Sequence, residues 1–223
     1  MPTRLAVFAL SDVGLVREIN EDAFLIADLP RGALVPSAEV TRFEVGEHGA
    51  LVALSDGMGG HRGGAEASRL TLATLLTALA AATPSGEASE RLKAGVEAAN
   101  LAVFNAGEGE GAARMGATLT AVFVQGNEAF LAEIGDSRAY LLRGGEIEQV
   151  THDQSVRQAL LDSGTMSSEE AAEAPFRNIV LQAMGQKPAV TVALGRLELR
   201  ARDCLVLCSD GLSNELTKEE IGK

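Results

Sequence analysis

Two distant segments of the chain repeat one pattern: Leu51-Val-Ala-Leu-Ser-Asp-Gly-Met58 and Leu205-Val-Leu-Cys-Ser-Asp-Gly-Leu212 each lead an apolar run into Ser-Asp-Gly. A third apolar run, residues 130–134, ends in Gly135-Asp136-Ser137-Arg138. Short apolar runs closed by turn residues read as strands, so three strands deliver a carboxylate at their ends. Any one of these sites is adequately explained as an Asx turn, in which Asp satisfies the backbone and Gly takes a positive φ. For three together that explanation weakens. Turns accept Asn or Ser as readily, whereas an oxygen-ligand metal site needs carboxylates gathered from separate parts of the chain.

If Asp56, Asp136 and Asp210 converge, each pair repels by about 4 kcal/mol at 4 Å and an effective dielectric near 20. A cation cancels that repulsion. Hard oxygen donors select Mg²⁺ or Mn²⁺, while zinc calls for closely spaced His or Cys. His48, His61 and His152 are scattered, which disfavours zinc. The segment Gly57-Met-Gly-Gly-His-Arg-Gly-Gly64 lacks both the Gly-Lys-Ser/Thr of a phosphate loop and the third Gly of a dinucleotide fingerprint. Close backbone approach to metal and water is the better use of these glycines. Upstream, Asp12-Val-Gly-Leu-Val-Arg-Glu-Ile-Asn-Glu-Asp22 sets one arginine among acids. Arg17 either pairs with Glu18 or Glu21 at the surface or, beside a metal centre, holds two phosphoryl oxygens in its planar fork.

The length, 223 residues with 46% hydrophobic and 22% charged, suits one globular domain over 1–223. The charge, 19 − 31 = −12, and an aromatic content of 4% without Trp argue against nucleic acid, which wants cations for phosphate and rings for bases. Cys204 and Cys208 lie four apart in an apolar run. On a strand that is about 13 Å, too far for a disulfide, so both are expected to be reduced core residues. The N-terminal stretch turns acidic too soon for a signal peptide, and residues 70–82 fall short of a bilayer span. A soluble cytoplasmic protein without membrane contact is expected.

Strands are expected at 5–10, 23–27 and 51–54, with 28–49 a loop or irregular hairpin. Leu72, Leu75, Leu76 and Leu79 recur at helical spacing within a helix over 65–82, and a second helix covers 89–105. An antiparallel meander follows at 117–125, 129–134, 139–142 and 147–150. Helical pieces at 155–162, 167–174 and 178–184 precede strands at 190–194 and 205–208. Strands and helices are segregated, giving an α+β class with helices covering antiparallel sheets.

In order and spacing, the stretches 12–23, 55–68, 116–118, 135–140, 151–155, 177–185 and 203–212 resemble the metal-dependent serine/threonine protein phosphatases of type 2C, in their bacterial form. The resemblance implies a sandwich of two antiparallel β-sheets flanked by helices, with a binuclear Mn²⁺ or Mg²⁺ centre at one end. It implies that Asp56 bridges two ions, Gly57 offers its carbonyl, Asp210 binds the first ion, and Glu21 and Asp22 act directly or through water. Asp136, with Asp210, matches a third, weaker metal position, and Arg17 matches the phosphate-binding arginine. The implied activity is hydrolysis of phosphoserine and phosphothreonine by a metal-activated water. The implied partners are phosphorylated proteins, the substrates of a bacterial serine/threonine kinase in signalling.

Two departures stand out. Relatives that carry His directly after the Asp-Gly pair use it as a proposed general acid, but Met58 has no proton to give, which leaves His61 or a water. The family pattern also continues to a final Asp-Asn pair and closing strand beyond Lys223, so the domain is expected to be truncated at that end. The readings set against catalysis are a phosphatase-like module that binds phosphoprotein without turnover and, more remotely, a nucleotide-binding protein.

Overall fold

The computed structural model describes residues 2–29, 31–34, 40–59, 62–108, 115–167, 170–171, 176 and 179–223. A six-stranded antiparallel sheet is built from β2 (Ala23–Asp28), β3 (Gly32–Ala33), β5 (Ala50–Ser55), β8 (Leu119–Gln125), β9 (Glu128–Ile134) and β12 (Ala193–Glu198), in the order β12-β9-β8-β5-β2-β3. The second layer has β1 (Arg4–Val7) paired with β4 (Thr41–Glu44), and β10 (Arg138–Arg143) between β11 (Glu146–Gln149) and β13 (Cys204–Cys208). Near the site, β6 (Gly57–Met58) pairs with β7 (Gly116–Ala117).

Alternation decides which layer each side chain joins. On β8, Leu119, Ala121 and Phe123 belong to the core under the helices, while Val122 and Val124 belong to the core between the sheets. Both faces are therefore buried, and the strand reads as a continuous apolar run rather than an alternating one. Helices α1 (Arg62–Ala81) and α2 (Ala88–Gly107) cover the large sheet. Leu72, Leu75 and Leu79 of α1 meet Leu92, Val96, Ala99 and Val103 of α2 in that core, and each buried Leu contributes about 2 kcal/mol. The expected sandwich flanked by helices is the observed architecture. Among the described residues no helix is long and apolar enough to cross a membrane.

Several local expectations need correction. The region 28–49 holds β3 and β4 rather than only a loop; β4 is too polar and half-exposed to show a buried pattern. The strand at 5–10 stops at Val7. The meander is broken: β8 pairs with β9, but β10 leaves for the second layer and pairs with β11 and β13. Gly135, Asp136 and Ser137 make that crossing. The last expected strand runs over Ala193–Glu198, not 190–194. Within 178–184 the described residues form no helix; Val180 and Met184 make isolated bridges to Ser155 and Ala117. The helix expected at 155–162 is α3 (Val156–Asp162), capped by Ser155, and most of 167–174 lies outside the described residues. Both cysteines are free, but only Cys208 is buried; Cys204, at the strand's start, is exposed.

Candidate metal centre

Asp56 leaves the end of β5, and its backbone is held on both sides by one residue. The Asp56 N–H donates to Thr118 Oγ1 at 3.0 Å, and the Thr118 N–H donates to the Asp56 carbonyl at 2.8 Å. The Thr118 hydroxyl also meets Ser137 Oγ at 2.7 Å, which ties the Asp56 turn to the crossing that carries Asp136. Gly135 is needed there twice over. Its φ is +102°, and a Cβ would stand 2.8 Å from Thr118 Cγ2, so any side chain would clash as well as strain the backbone.

Glu21 and Asp22 enter from the start of β2. The Glu21 carbonyl accepts from the Gly57 N–H at 3.2 Å and from Ser68 Oγ of α1 at 2.6 Å. A Cβ on Gly64 would fall 2.3 Å from Glu21 Oε1, and one on Gly57 would fall 2.1 Å from the Gly64 carbonyl. These glycines let the turn after β5, the first turn of α1 and Glu21 close on one another. Asp22 receives Ser209 Oγ on Oδ2 at 2.7 Å. Asp210 opens the short helix Asp210–Ser213 and accepts from Asn214 Nδ2 at 3.2 Å.

The electrostatics show what this assembly does to a proton. Burial, then the neighbouring charges of Asp22 and Asp210, with a hydrogen-bond contact to Asp22 and a smaller push from Asp136, raise the Asp56 carboxyl to about 8. Asp136 is raised to about 6, by burial first and then by Asp210 and Asp153. All three strand-end carboxylates, together with Asp22, therefore share one field. Among the described residues no three acidic, His or Cys groups stand in ready coordinating geometry; the carboxylates form an array at Coulombic range. Glu21 Oε1 is buried without a hydrogen-bond partner. An orphaned carboxylate oxygen, an all-oxygen donor set and the suppressed ionisation of Asp56 and Asp136 fit a hard divalent cation, which relieves all three. Zinc is poorly served: His152 is engaged with Asp162 at 2.7 Å, and burial pushes the Cys208 thiol up to about 11.

Arg17 is exposed, and among the described residues it pairs with no carboxylate. Its pairing with Glu18 or Glu21 is thus absent from the structure. His61 lies outside the described residues. Met58 sits beside the site, with Gln186 Nε2 at 3.8 Å from its sulfur. Sequence reasoning did not single out Thr118, Ser209 or the pair beneath Asp136, in which Arg138 grips Asp153 through Nε and Nη2 at 2.9 and 2.6 Å. Ser209 was visible in the repeated Ser-Asp-Gly; Thr118 and Asp153 carry no spacing signal.

A two-sheet sandwich with a cluster of carboxylates at the ends of its strands defines a protein whose gathered acids suit a hard divalent cation. The chain belongs to the protein phosphatase 2C family, whose profile matches residues 38–222. It is 40% identical over 215 residues to the serine/threonine protein phosphatase PstP of Mycobacterium tuberculosis, covering 96% of this chain and 37% of that protein. The chain thus spans little more than a third of that relative's length. The structure of the S. agalactiae serine/threonine phosphatase superposes with a TM-score of 0.84 at 32% identity, over 99% of this chain and 85% of the other. The catalytic domain of PstP in complex with two manganese ions superposes at 0.77 with 37% identity, over 99% and 84%.

Proposed function

We propose that this chain hydrolyses phosphoserine and phosphothreonine on proteins at a centre of two divalent cations, Mn²⁺ or Mg²⁺, with a third held more weakly. The observation that carries this reading is the gathering of Asp22, Asp210 and Asp136 around partly buried Asp56, whose carboxyl is raised to about 8 by burial first and then by these neighbours. The manganese in the solved PstP catalytic domain supports the choice of ion. Asp56 is the proposed bridging ligand, Asp210, Glu21, Asp22 and the Gly57 carbonyl complete the pair, and Asp136 with Asp210 serves the weaker position. Such ions supply Lewis-acid charge to phosphoryl oxygens and lower the pKa of water from 15.7 toward 7.

The remaining work falls to the chain's own groups. Arg17 holds two oxygens of the phosphate dianion in its fork and fixes its orientation. Asp56, whose raised carboxyl holds a proton at neutral pH, would give it up to a bound cation. Met58 has no proton for the departing serine or threonine oxygen, so that proton is assigned to His61 or to a water. Cys208, buried and held as a thiol, is no nucleophile. Residues 1–223 are proposed to act as a single catalytic unit, in the cytoplasm, on phosphoproteins made by a bacterial serine/threonine kinase.

The test is phosphate release from a phosphothreonine peptide with and without Mn²⁺. Turnover that disappears in EDTA and returns with added Mn²⁺ is expected. Turnover indifferent to EDTA, or phosphopeptide binding with no turnover under any divalent cation, would overturn the reading.

A further inference from the structure

The crossing that carries Asp136 lies between two ladders. The pairing of β8 with β9 ends at Ile134, and that of β10 with β13 begins at Arg138. Gly135 and Ser137, buried on either side of Asp136, therefore need other partners for their backbone groups. Ser137 is held from β8: its hydroxyl meets Thr118 Oγ1, and its carbonyl accepts from Thr120 Oγ1 at 2.6 Å. Gly135 is held from elsewhere, and by a single residue. The Gln154 N–H donates to the Gly135 carbonyl at 2.7 Å, and the Gly135 N–H donates to Gln154 Oε1 at 3.0 Å.

The orientation of the Gln154 amide is dictated by these neighbours. A backbone N–H can only donate, so the atom facing Gly135 is the oxygen, and the nitrogen is left to donate to the Glu133 carbonyl at 3.3 Å. Gln182 fixes the same oxygen from behind, donating to it from Nε2 at 2.8 Å. Gln182 is itself hooked on both backbone groups of Thr191: Nε2 donates to the carbonyl at 2.7 Å, and Oε1 accepts from the N–H at 2.9 Å. The Leu181 N–H adds a bond to the Gln154 carbonyl at 2.7 Å. Two side-chain amides thus run in series from Thr191 to the residue before Asp136. Gly135 stands at φ +102°. A glycine released from its partners has the widest backbone choice of any residue, and a small rotation there redirects the Asp136 carboxylate.

Resting on the phosphatase reading above, with Asp136 at the weaker cation, we propose that Gln154 is a positioning residue for Asp136 and that Gln182 acts behind it. The two glutamines fix the direction of the carboxylate and thereby the affinity of the weaker position, while Thr118 holds the Asp56 turn. Groups that orient a ligand without touching the metal govern about 10–100-fold of its affinity.

Gln154→Met keeps the length of the side chain and removes its polar end; Gln182→Met leaves Gln154 in place and removes the amide behind it. Mn²⁺ binding to each is followed by the paramagnetic resonance of free Mn²⁺ at pH 7.5, up to concentrations that fill the weaker position, alongside hydrogen exchange at the amides of 135–137 in the metal-free proteins. Gln154→Met is expected to lose about tenfold in affinity at the weaker position and Gln182→Met about threefold, both with wild-type affinity at the tight pair. Exchange at 135–137 is expected to quicken while β8 and β9 keep theirs. Unchanged affinity at the weaker position in both variants would overturn the proposal. An equal loss at every position would also overturn it, assigning the glutamines to the fold in general. Should Gln154→Met fail to fold, the selective loss in Gln182→Met decides the matter in the same way. A wild type that binds Mn²⁺ only at the tight pair would remove the weaker position and this proposal with it, leaving the phosphatase reading intact, whereas neither Mn²⁺ binding nor phosphopeptide turnover in the wild type would sink all three.

Discussion

Ser209 Oγ donates a 2.7 Å hydrogen bond to Asp22 Oδ2, across 187 positions of sequence. Asp22 precedes β2 of the large sheet, and Ser209 follows β13 of the second layer. The bond therefore joins the two layers at the mouth of the carboxylate cluster and fixes the rotamer of a carboxylate that would otherwise recoil from Asp56. Ser209→Ala removes a hydrogen bond to an ionisable group, worth about 1.5–3 kcal/mol. The variant is expected to unfold at lower temperature and to need several-fold more Mn²⁺ for half-maximal activity. An unchanged melting temperature together with an unchanged Mn²⁺ requirement would show that the bond does not hold Asp22.

Cation affinity should depend on pH with a definite sign. The Asp56 carboxyl, raised to about 8, keeps its proton at pH 6 and 7, and a cation must displace that proton to use the oxygen. Affinity for Mn²⁺ is therefore expected to rise about tenfold per pH unit between 6 and 7.5, with one proton released per binding event, then to level off above 8. Calorimetric titration in buffers of different ionisation enthalpy counts the proton. A flat affinity across that range would contradict the assignment.

Glu133, not itself a proposed cation ligand, offers a second titration, which Asp136 influences only as the last of its causes. It is 3% exposed; one oxygen accepts the His152 N–H at 2.8 Å, and the other has no partner. Burial first, partly offset by the His152 bond and then reinforced by Asp153, raises it from 4.5 to about 7. Between those values the folded protein keeps a proton that the unfolded chain has released. The stability contributed by the neutral form is thus complete below pH 4.5 and is lost as pH rises through 7, on the order of 3 kcal/mol in all. Glu133→Gln should flatten the decline in unfolding free energy between pH 5 and 8, measured by urea titration. A decline as steep as that of the wild type would contradict it.

Arg17 supplies the test of phosphate binding. Arg17 is proposed to hold the substrate phosphate before and during reaction, so Arg17→Ala is expected to raise KM for phosphopeptide at least tenfold with a smaller change in kcat. A variant that lowers kcat and leaves KM alone would assign the residue to the transition state only.

The gathering of the strand-end carboxylates was legible in the sequence, while several details of the sheets around them were not. Asp56, Asp136 and Asp210 were legible because an apolar strand ending in a carboxylate is a local pattern, and its threefold occurrence gave a reason for convergence. Helices α1 and α2 were legible for the same reason, since Leu72, Leu75 and Leu79 mark one face without reference to anything distant. What failed depended on partners far along the chain. The polar β4 is a strand only because β1 pairs with it. The crossing at Gly135 splits an apparent meander between two sheets, and nothing local distinguishes a Gly that turns a hairpin from one that changes layers. Thr118 was invisible as a linker for a similar reason: its hydroxyl acts on Asp56, 62 positions away, and on Ser137, 19 away.

The central claim is that Asp56 is where cations replace a proton, and direct Mn²⁺ binding to Asp56→Asn tests it. Asn keeps the shape and removes the charge, so the fold is expected to persist and to gain stability from relieved repulsion with Asp22, Asp210 and Asp136. Monitored by the paramagnetic resonance of free Mn²⁺ at pH 7.5, the variant is expected to lose at least a hundredfold in affinity at the tight sites and to show no measurable phosphopeptide hydrolysis. Wild-type Mn²⁺ affinity with full turnover in Asp56→Asn would contradict the account.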